Sequence, residues 1–154
     1  MGNFGFHTRV NSPENNIDFS PYDLIVIGTS IHAGRTTSSF RKFLQRYIEI
    51  LSDLQVAYFV SCANMRNDTD ESRAETLAWL NKGIQTFDSI EPISIGLFGG
   101  AVITSGESFQ RLNFFNRRII KAMEKKMVSE YGKSDFRDWE RIEAWTVELI
   151  KKIN

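Results

Sequence analysis

Cysteine is almost missing from this chain. Cys62 is the only one in 154 residues, which rules out an intrachain disulfide and any cysteine-built metal cluster. An excess of one charge is missing too: Lys+Arg and Asp+Glu stand at 19 each. That balance removes the global electrostatic case for nucleic acid or for an acidic membrane surface. No apolar run approaches the roughly 18 residues needed to span a bilayer. Met1 to Ser12 has neither the basic start nor the apolar stretch of a signal peptide. Internal repeats, low-complexity tracts and linkers are likewise absent. These absences predict a single domain over residues 1–154, working in a reducing cytoplasm and at most peripheral to a membrane.

What the chain does have is alternation. Leu24, Ile25, Val26 and Ile27 form an unbroken, mostly β-branched run that breaks at Gly28. A run apolar at every position suits a strand covered on both faces, as in a parallel sheet. A small polar loop over residues 29–37 follows. Ser38 or Ser39 is then placed to cap a helix with Phe40, Phe43, Leu44, Tyr47, Ile48 and Leu51 on one face. Residues 55–62 predict a second buried strand. Residues 70–87 predict a helix, with Asp70 and Glu71 at its positive end.

A third strand over residues 93–98 runs into Gly99-Gly100. Beyond it, residues 101–111 read as a loop. A basic amphipathic helix opens at Phe114 and closes at Val128, and Asp135 or Asp138 starts a last helix. Phe4 to Val10 alternates weakly and predicts a short edge strand. Alternating strands and helices imply right-handed crossovers and an α/β fold, a doubly wound parallel sheet with helices on both faces. The twelve Phe, four Tyr and three Trp suit its core.

In such sheets the ligand crevice lies at the carboxyl ends of the strands. Thr29, Ser30, Ile31, His32, Ala33 and Gly34 offer hydroxyls, amides and little bulk there. They suit the edge of a planar ligand, or an ordinary turn, and do not form a phosphate-loop fingerprint. Gly99, Gly100 and Ala101 make a second small-residue patch, where glycine lets backbone approach a ligand or turn tightly. His32 could bond to a ring or exchange protons near neutral pH. No Ser, Cys or Asp partner can be placed for it, so no catalytic residue is assigned and a plain surface histidine stands as the alternative. Cys62 ends a buried strand and reads as a core residue. No spaced set of metal ligands exists. The basic helix pairs Arg117, Arg118, Lys121, Lys125 and Lys126 with Phe114, Phe115, Ile119, Ile120, Met123 and Met127. It is either a solvated face, or a contact for an anionic membrane or a carboxylate-bearing substrate.

Tyr22 to Leu44 (YDLIVIGTSIHAGRTTSSFRKFL) resembles the middle of flavodoxin-like proteins, and most closely the quinone-dependent protoporphyrinogen IX dehydrogenase branch. The likeness continues through AYFVSCAN and GLFGGAV. It ends in a basic aromatic insertion and the Asp138-Trp139-Glu140 helix start. The resemblance implies a sheet of order 2-1-3-4-5 that binds FMN without a covalent bond. It also implies oxidation of a porphyrinogen substrate, with electrons passed to a quinone or other acceptor. By matching position, Thr29, Ser30, Ile31, His32, Ala33 and Gly34, with Asn64, Met65 and Arg66, would border the flavin on one side. Gly99, Gly100, Ala101, Val102 and Ile103 would border it on the other. The insertion would meet porphyrin propionates or a membrane surface.

The chain departs from that pattern at its start. Flavodoxin-like sheets open with an apolar strand, a Ser/Thr/Gly loop and a helix whose N-terminus holds the FMN phosphate. Here the first strand and first helix are absent, so the exact chain is expected to bind FMN poorly. Phe4 to Val10 would then lie beside residues 24–27, or leave that edge for a partner chain and a homo-oligomer. A flavodoxin-type electron carrier is a second reading, which the neutral charge balance disfavours. A cofactor-free flavodoxin-like remnant acting as a binding module is a third.

Overall fold

The β-branched runs lie side by side in a computed structural model that describes residues 6–153. β1 (Ile25–His32) turns back through the two-residue β2 (Arg35–Thr36), and α1 (Ser38–Leu51) follows. Next come β3 (Val56–Cys62), a 3-10 turn at Ala63–Arg66, α2 (Asp70–Ile84) and β4 (Pro92–Gly99). The chain ends with α3 (Glu107–Gln110), α4 (Phe114–Tyr131) and α5 (Trp139–Ile153). The sheet order is β2-β1-β3-β4, with β1, β3 and β4 parallel and β2 antiparallel. The α/β class and the mostly parallel sheet follow the sequence pattern.

Register explains how both faces are used. Ile27 pairs with Tyr58 and Tyr58 with Ile95, so these side chains share one face. On it Tyr58 and Val60 pack with Phe40, Phe43 and Leu44 of α1 and Leu80 of α2 in the main core. Gly28, Phe59 and Gly96 share the other face. There α5 covers β4: the Trp145 indole N–H donates to Ser94 Oγ at 3.0 Å, and its ring meets Phe98 edge-on at 5.6 Å. Among the described residues nothing comparable covers β1, and Val26 is 44% exposed.

Among the described residues the outer edge of β1 is open as well, up to its short pairing with β2 at Ile31 and His32. The Ile25 amide donates to Gln55 O at 2.9 Å, so odd-numbered residues face β3 and the backbone groups of Val26, Gly28 and Ser30 point away. Among the described residues, no backbone hydrogen bond joins residues 6–24 to β1. A cavity of about 190 Å³ lies along this edge, between Val26 and Gly28 on one side and Phe19, Phe40 and Phe43 on the other.

Four sequence expectations need correction. Thr29 to His32 are strand rather than loop, because the chain reverses at Ala33-Gly34 and extends the ladder to His32. Thr37, not Ser38 or Ser39, caps α1, since its hydroxyl accepts the Phe40 amide. Residues 107–110 form α3 within the expected loop. Residues 6–10 are not a strand; they are exposed and have no ladder partner, while Phe4 and Gly5 lie outside the described residues. Asp138 rather than Asp135 opens α5, its carboxylate accepting the Arg141 amide at 3.1 Å.

Candidate functional site

The exit of β1 is a two-residue hairpin. Ala33 and Gly34 have φ of 48° and 71°, the left-handed pair that such a hairpin requires. Thr29 is buried, and its hydroxyl lies 3.2 Å from that of Thr37, tying the strand to the α1 cap. Ile31 is buried in the core. Gly34 faces Trp79, whose indole nitrogen would sit 3.1 Å from a Cβ at that position. The part of this segment open to a ligand is therefore Ser30, His32 and Ala33, of which His32 and Ala33 are exposed.

The turn after β3 is pinned from behind. The Asn64 side-chain amide reaches Glu75 Oε2 at 3.0 Å, and Ser72 O and Thr76 Oγ1 at 3.2 Å. Met65 is buried in the core. Arg66 donates to Ala63 O at 3.3 Å and lies 4.7 Å over the Tyr131 ring. Next comes Asp68, which pairs with Arg73 at 2.8 Å and with Arg141 of α5. Burial alone would raise its carboxyl pKa. The hydrogen bonds and charges of Arg141 and Arg73 outweigh that and hold it below the ordinary range.

The exit of β4 is closed by the chain itself. The Gly100 amide donates to Cys62 O at 3.0 Å and the Val102 amide to Ser134 O at 2.9 Å. Ala101 bridges Asp135, and the Phe136 amide returns to Gly100 O at 3.0 Å. A Cβ at Gly99 would lie 2.8 Å from the Phe136 carbonyl carbon and closer still to its oxygen. At Gly100 it would press on the Cys62 backbone at 3.1 Å. The two glycines thus admit neighbouring backbone. Ile103, by contrast, is 53% exposed.

A cavity of about 420 Å³ opens at the carboxyl ends of β3 and β4. Met65, Arg66 and Gly99 line it together with Asp68, Phe136 and Arg141. The structure thus gathers three of the expected residues there, while Ser30, His32 and Ala33 stand apart at the β1 exit. Asp68, Arg137 and Arg141 were not singled out from sequence. The one local signal was Asp68 in the polar run N-D-T-D, where it takes φ 50°, a conformation to which Asp and Asn are among the better suited residues.

An exposed β1 exit, a crevice at the carboxyl ends of β3 and β4 and helices on both faces define a doubly wound α/β protein. A family model of the flavodoxin domain matches residues 6–135, and the chain belongs to that family. No curated protein and no solved structure matches it.

The family implies FMN, and the described residues accommodate it only in part. Small residues at the β1 exit leave room for a ring edge. Three long helices, α1, α2 and α5, begin at this end, and each N-terminus is already capped, that of α5 by Asp138. The α1 N-terminus is capped by Thr37, and α2 by a reciprocal Thr69–Ser72 capping box. Neither terminus is preceded by a glycine-rich loop. Among the described residues neither terminus is therefore a flavodoxin-type phosphate loop, and the cations in the cavity wall at this end are Arg66, Lys133, Arg137 and Arg141. Among the described residues, no helix is long and apolar enough to cross a membrane, and no group of metal-binding side chains occurs.

Proposed function

We propose that this chain serves flavin-linked oxidoreduction of the protoporphyrinogen IX dehydrogenase kind, with a porphyrinogen as electron donor and a quinone or other acceptor. Taken alone, it holds FMN weakly. The observation that carries the reading is the exposed β1 exit at Ser30, His32 and Ala33, in a member of the flavodoxin domain family. The sequence resemblance along that same strand supports the porphyrinogen assignment. The cations of α4 give a carboxylate-bearing substrate something to bind.

Each charge-assisted hydrogen bond to a phosphate is worth about 1.5–3 kcal/mol. Two such bonds missing weaken binding about a hundredfold or more, since about 1.4 kcal/mol is a factor of ten. Titration with FMN and with riboflavin, followed by flavin fluorescence quenching, tests this. Similar weak binding of both is expected, because no helix N-terminus at this end is left free to take the phosphate. Tight stoichiometric binding of FMN but not riboflavin refutes it. Complementation of a strain unable to oxidise protoporphyrinogen tests the substrate.

A second reading, a cofactor-free binding module, draws on the internally bonded amides of Gly100 and Val102. Its expected outcome is no quenching by either flavin.

A further inference from the structure

Of the four cations in the wall of the cavity at the carboxyl ends of β3 and β4, two already have carboxylate partners. Arg137 clasps Asp135 through Nε at 2.9 Å and Nη2 at 2.6 Å, and Arg141 shares Asp68 with Arg73. The other two, Arg66 and Lys133, make no ion pair among the described residues. They lie along one aromatic run. Arg66 is 4.7 Å over the Tyr131 ring, Tyr131 meets Phe136 edge-on at 6.0 Å, and Lys133 is 5.4 Å over Phe136.

The wall carries three carboxylates against these four cations. Asp68 is taken by its two arginines. Asp138 accepts the Arg141 amide at the start of α5, and Glu140 is exposed with no partner among the described residues. From outside the wall, Asp135 offsets Arg137 and Arg73 offsets Asp68, so a positive surplus remains in a chain of zero net charge.

Arg66 has one edge to spare. Its Nη1 donates to Ala63 O at 3.3 Å, its Nη2 has no acceptor among the described residues, and its Nε is buried without one. A buried donor ordinarily has a partner. The Nε–Nη2 edge is a planar fork that takes both oxygens of a carboxylate side-on. A phosphate would be served less well, because it draws on free backbone amides. At this end the N-termini of α1, α2 and α5 are capped, and the Gly100 and Val102 amides are bonded within the chain.

We infer that this cavity of about 420 Å³ binds a small organic dicarboxylate, one carboxylate seated on the Nε–Nη2 edge of Arg66 and the other meeting Lys133. The ligand ties the turn after β3 to the segment that leads into α5. No flavin takes part, so the site stands or falls separately from the oxidoreductase reading.

Isothermal titration calorimetry of the whole protein with malonate, succinate and glutarate tests the inference, against acetate, inorganic phosphate and sulfate at matched ionic strength. Saturable binding of at least one diacid is expected, tighter than acetate by about tenfold or more. Arg66→Gln and Lys133→Gln should each weaken that diacid by about tenfold or more, since each removes a charge-assisted hydrogen bond. Lys133 is exposed, so its variant should keep the parent's far-UV circular dichroism. Arg66→Lys should not restore affinity, because an ammonium lacks the fork. Glu140→Gln should tighten binding, because a like charge leaves the wall. Phosphate or sulfate bound as tightly as the best diacid overturns the inference, as does the absence of saturable diacid binding. So does diacid affinity that neither Arg66→Gln nor Lys133→Gln changes.

Discussion

Gly99→Ala separates two meanings of a glycine at a strand exit. If the position is small so that a ligand can approach, alanine leaves folding intact and weakens ligand binding. If it is small because the Phe136 carbonyl lies against it, alanine strikes the fold directly. The structure supports the second case, since a Cβ would stand 2.8 Å from the carbonyl carbon. Two responses are open to the protein. It can keep the returning segment in place and carry the overlap, at about 1–3 kcal/mol for an overpacked site. Or it can move that segment and strain the Phe136–Gly100 and Val102–Ser134 bonds, of 3.0 and 2.9 Å, each worth about 0.5–1.5 kcal/mol. Either route costs about 1–3 kcal/mol, a large share of an ordinary stability of about 5–15 kcal/mol. In thermal unfolding that becomes a fall of about 2–12 °C at this chain length. Urea unfolding measures it, with Gly132→Ala as the comparison. Gly132 has φ 74° with open space around it, so alanine there meets only the left-handed penalty of about 1–2 kcal/mol. A Gly99→Ala protein within about 0.5 kcal/mol of the parent refutes the packing argument.

Thr37→Ala should destabilise by about 1 kcal/mol, because it removes the α1 cap and the hydroxyl contact to Thr29. Ser38→Ala should be nearly silent in the same urea assay, and equal effects would contradict the cap assignment. Asp68 is held below the usual carboxylate range when folded, so its pairing stabilises the protein above about pH 4, near its unfolded value. That contribution is lost as pH falls through the lower folded value, so Asp68→Asn should flatten the acid limb of stability against pH. An unchanged acid limb would count against the Arg73 and Arg141 pairing. Tyr58 is fully buried with no partner for its hydroxyl among the described residues, and burial pushes its pKa up to about 12. Tyr58→Phe should therefore raise stability by about 1 kcal/mol, and a loss of that size in urea unfolding would reveal a hydrogen bond to the hydroxyl.

The parts of the fold set by periodicity were legible in the sequence. The runs at Ile25 and Val56 form strands because β-branched residues suit a pleated surface, which is buried nearly throughout in β3 but on one face only in β1, where Val26 is exposed against the expectation of a strand covered on both faces. Phe40, Phe43 and Leu44 share a helix face because 3.6 residues make a turn. Features set by tertiary contact were not legible. The hairpin at Ala33-Gly34 depends on two left-handed residues, one of them an alanine that carries no such signal in composition. Thr37 outranks Ser38 as a cap because the buried Thr29 hydroxyl reaches it across the turn. The site suffered most, for the same reason. Gly99-Gly100 has the composition of a ligand loop, and only the return of Ser134 to Phe136 shows what it accommodates. Asn64 reads as a ligand-facing amide until α2 supplies three acceptors for it.

Among the described residues, the open edge of β1 and the want of a flavodoxin-type phosphate loop are one feature seen twice. Val26, Gly28 and Ser30 point their backbone groups away from β3. No charge or proline blunts the edge between Ile25 and Ile31, although natural solvent edges are usually protected in that way. Val26 is bare on the face that α5 leaves uncovered, and the cavity beside Phe40 and Phe43 is apolar on its inner wall. An added strand would need apolar side chains on both faces to fill these places, as a central parallel strand has. By the sequence resemblance, that neighbouring strand is the one that leads into the phosphate loop. The weak FMN binding proposed above and the unprotected edge thus share a cause. A strand, loop and helix supplied against β1 should pair with Val26, Gly28 and Ser30, cover Val26 and bring a phosphate-binding helix end beside His32. Flavin affinity and sheet completion should therefore rise together in any form of the protein that carries them, and a gain in one without the other would separate the two.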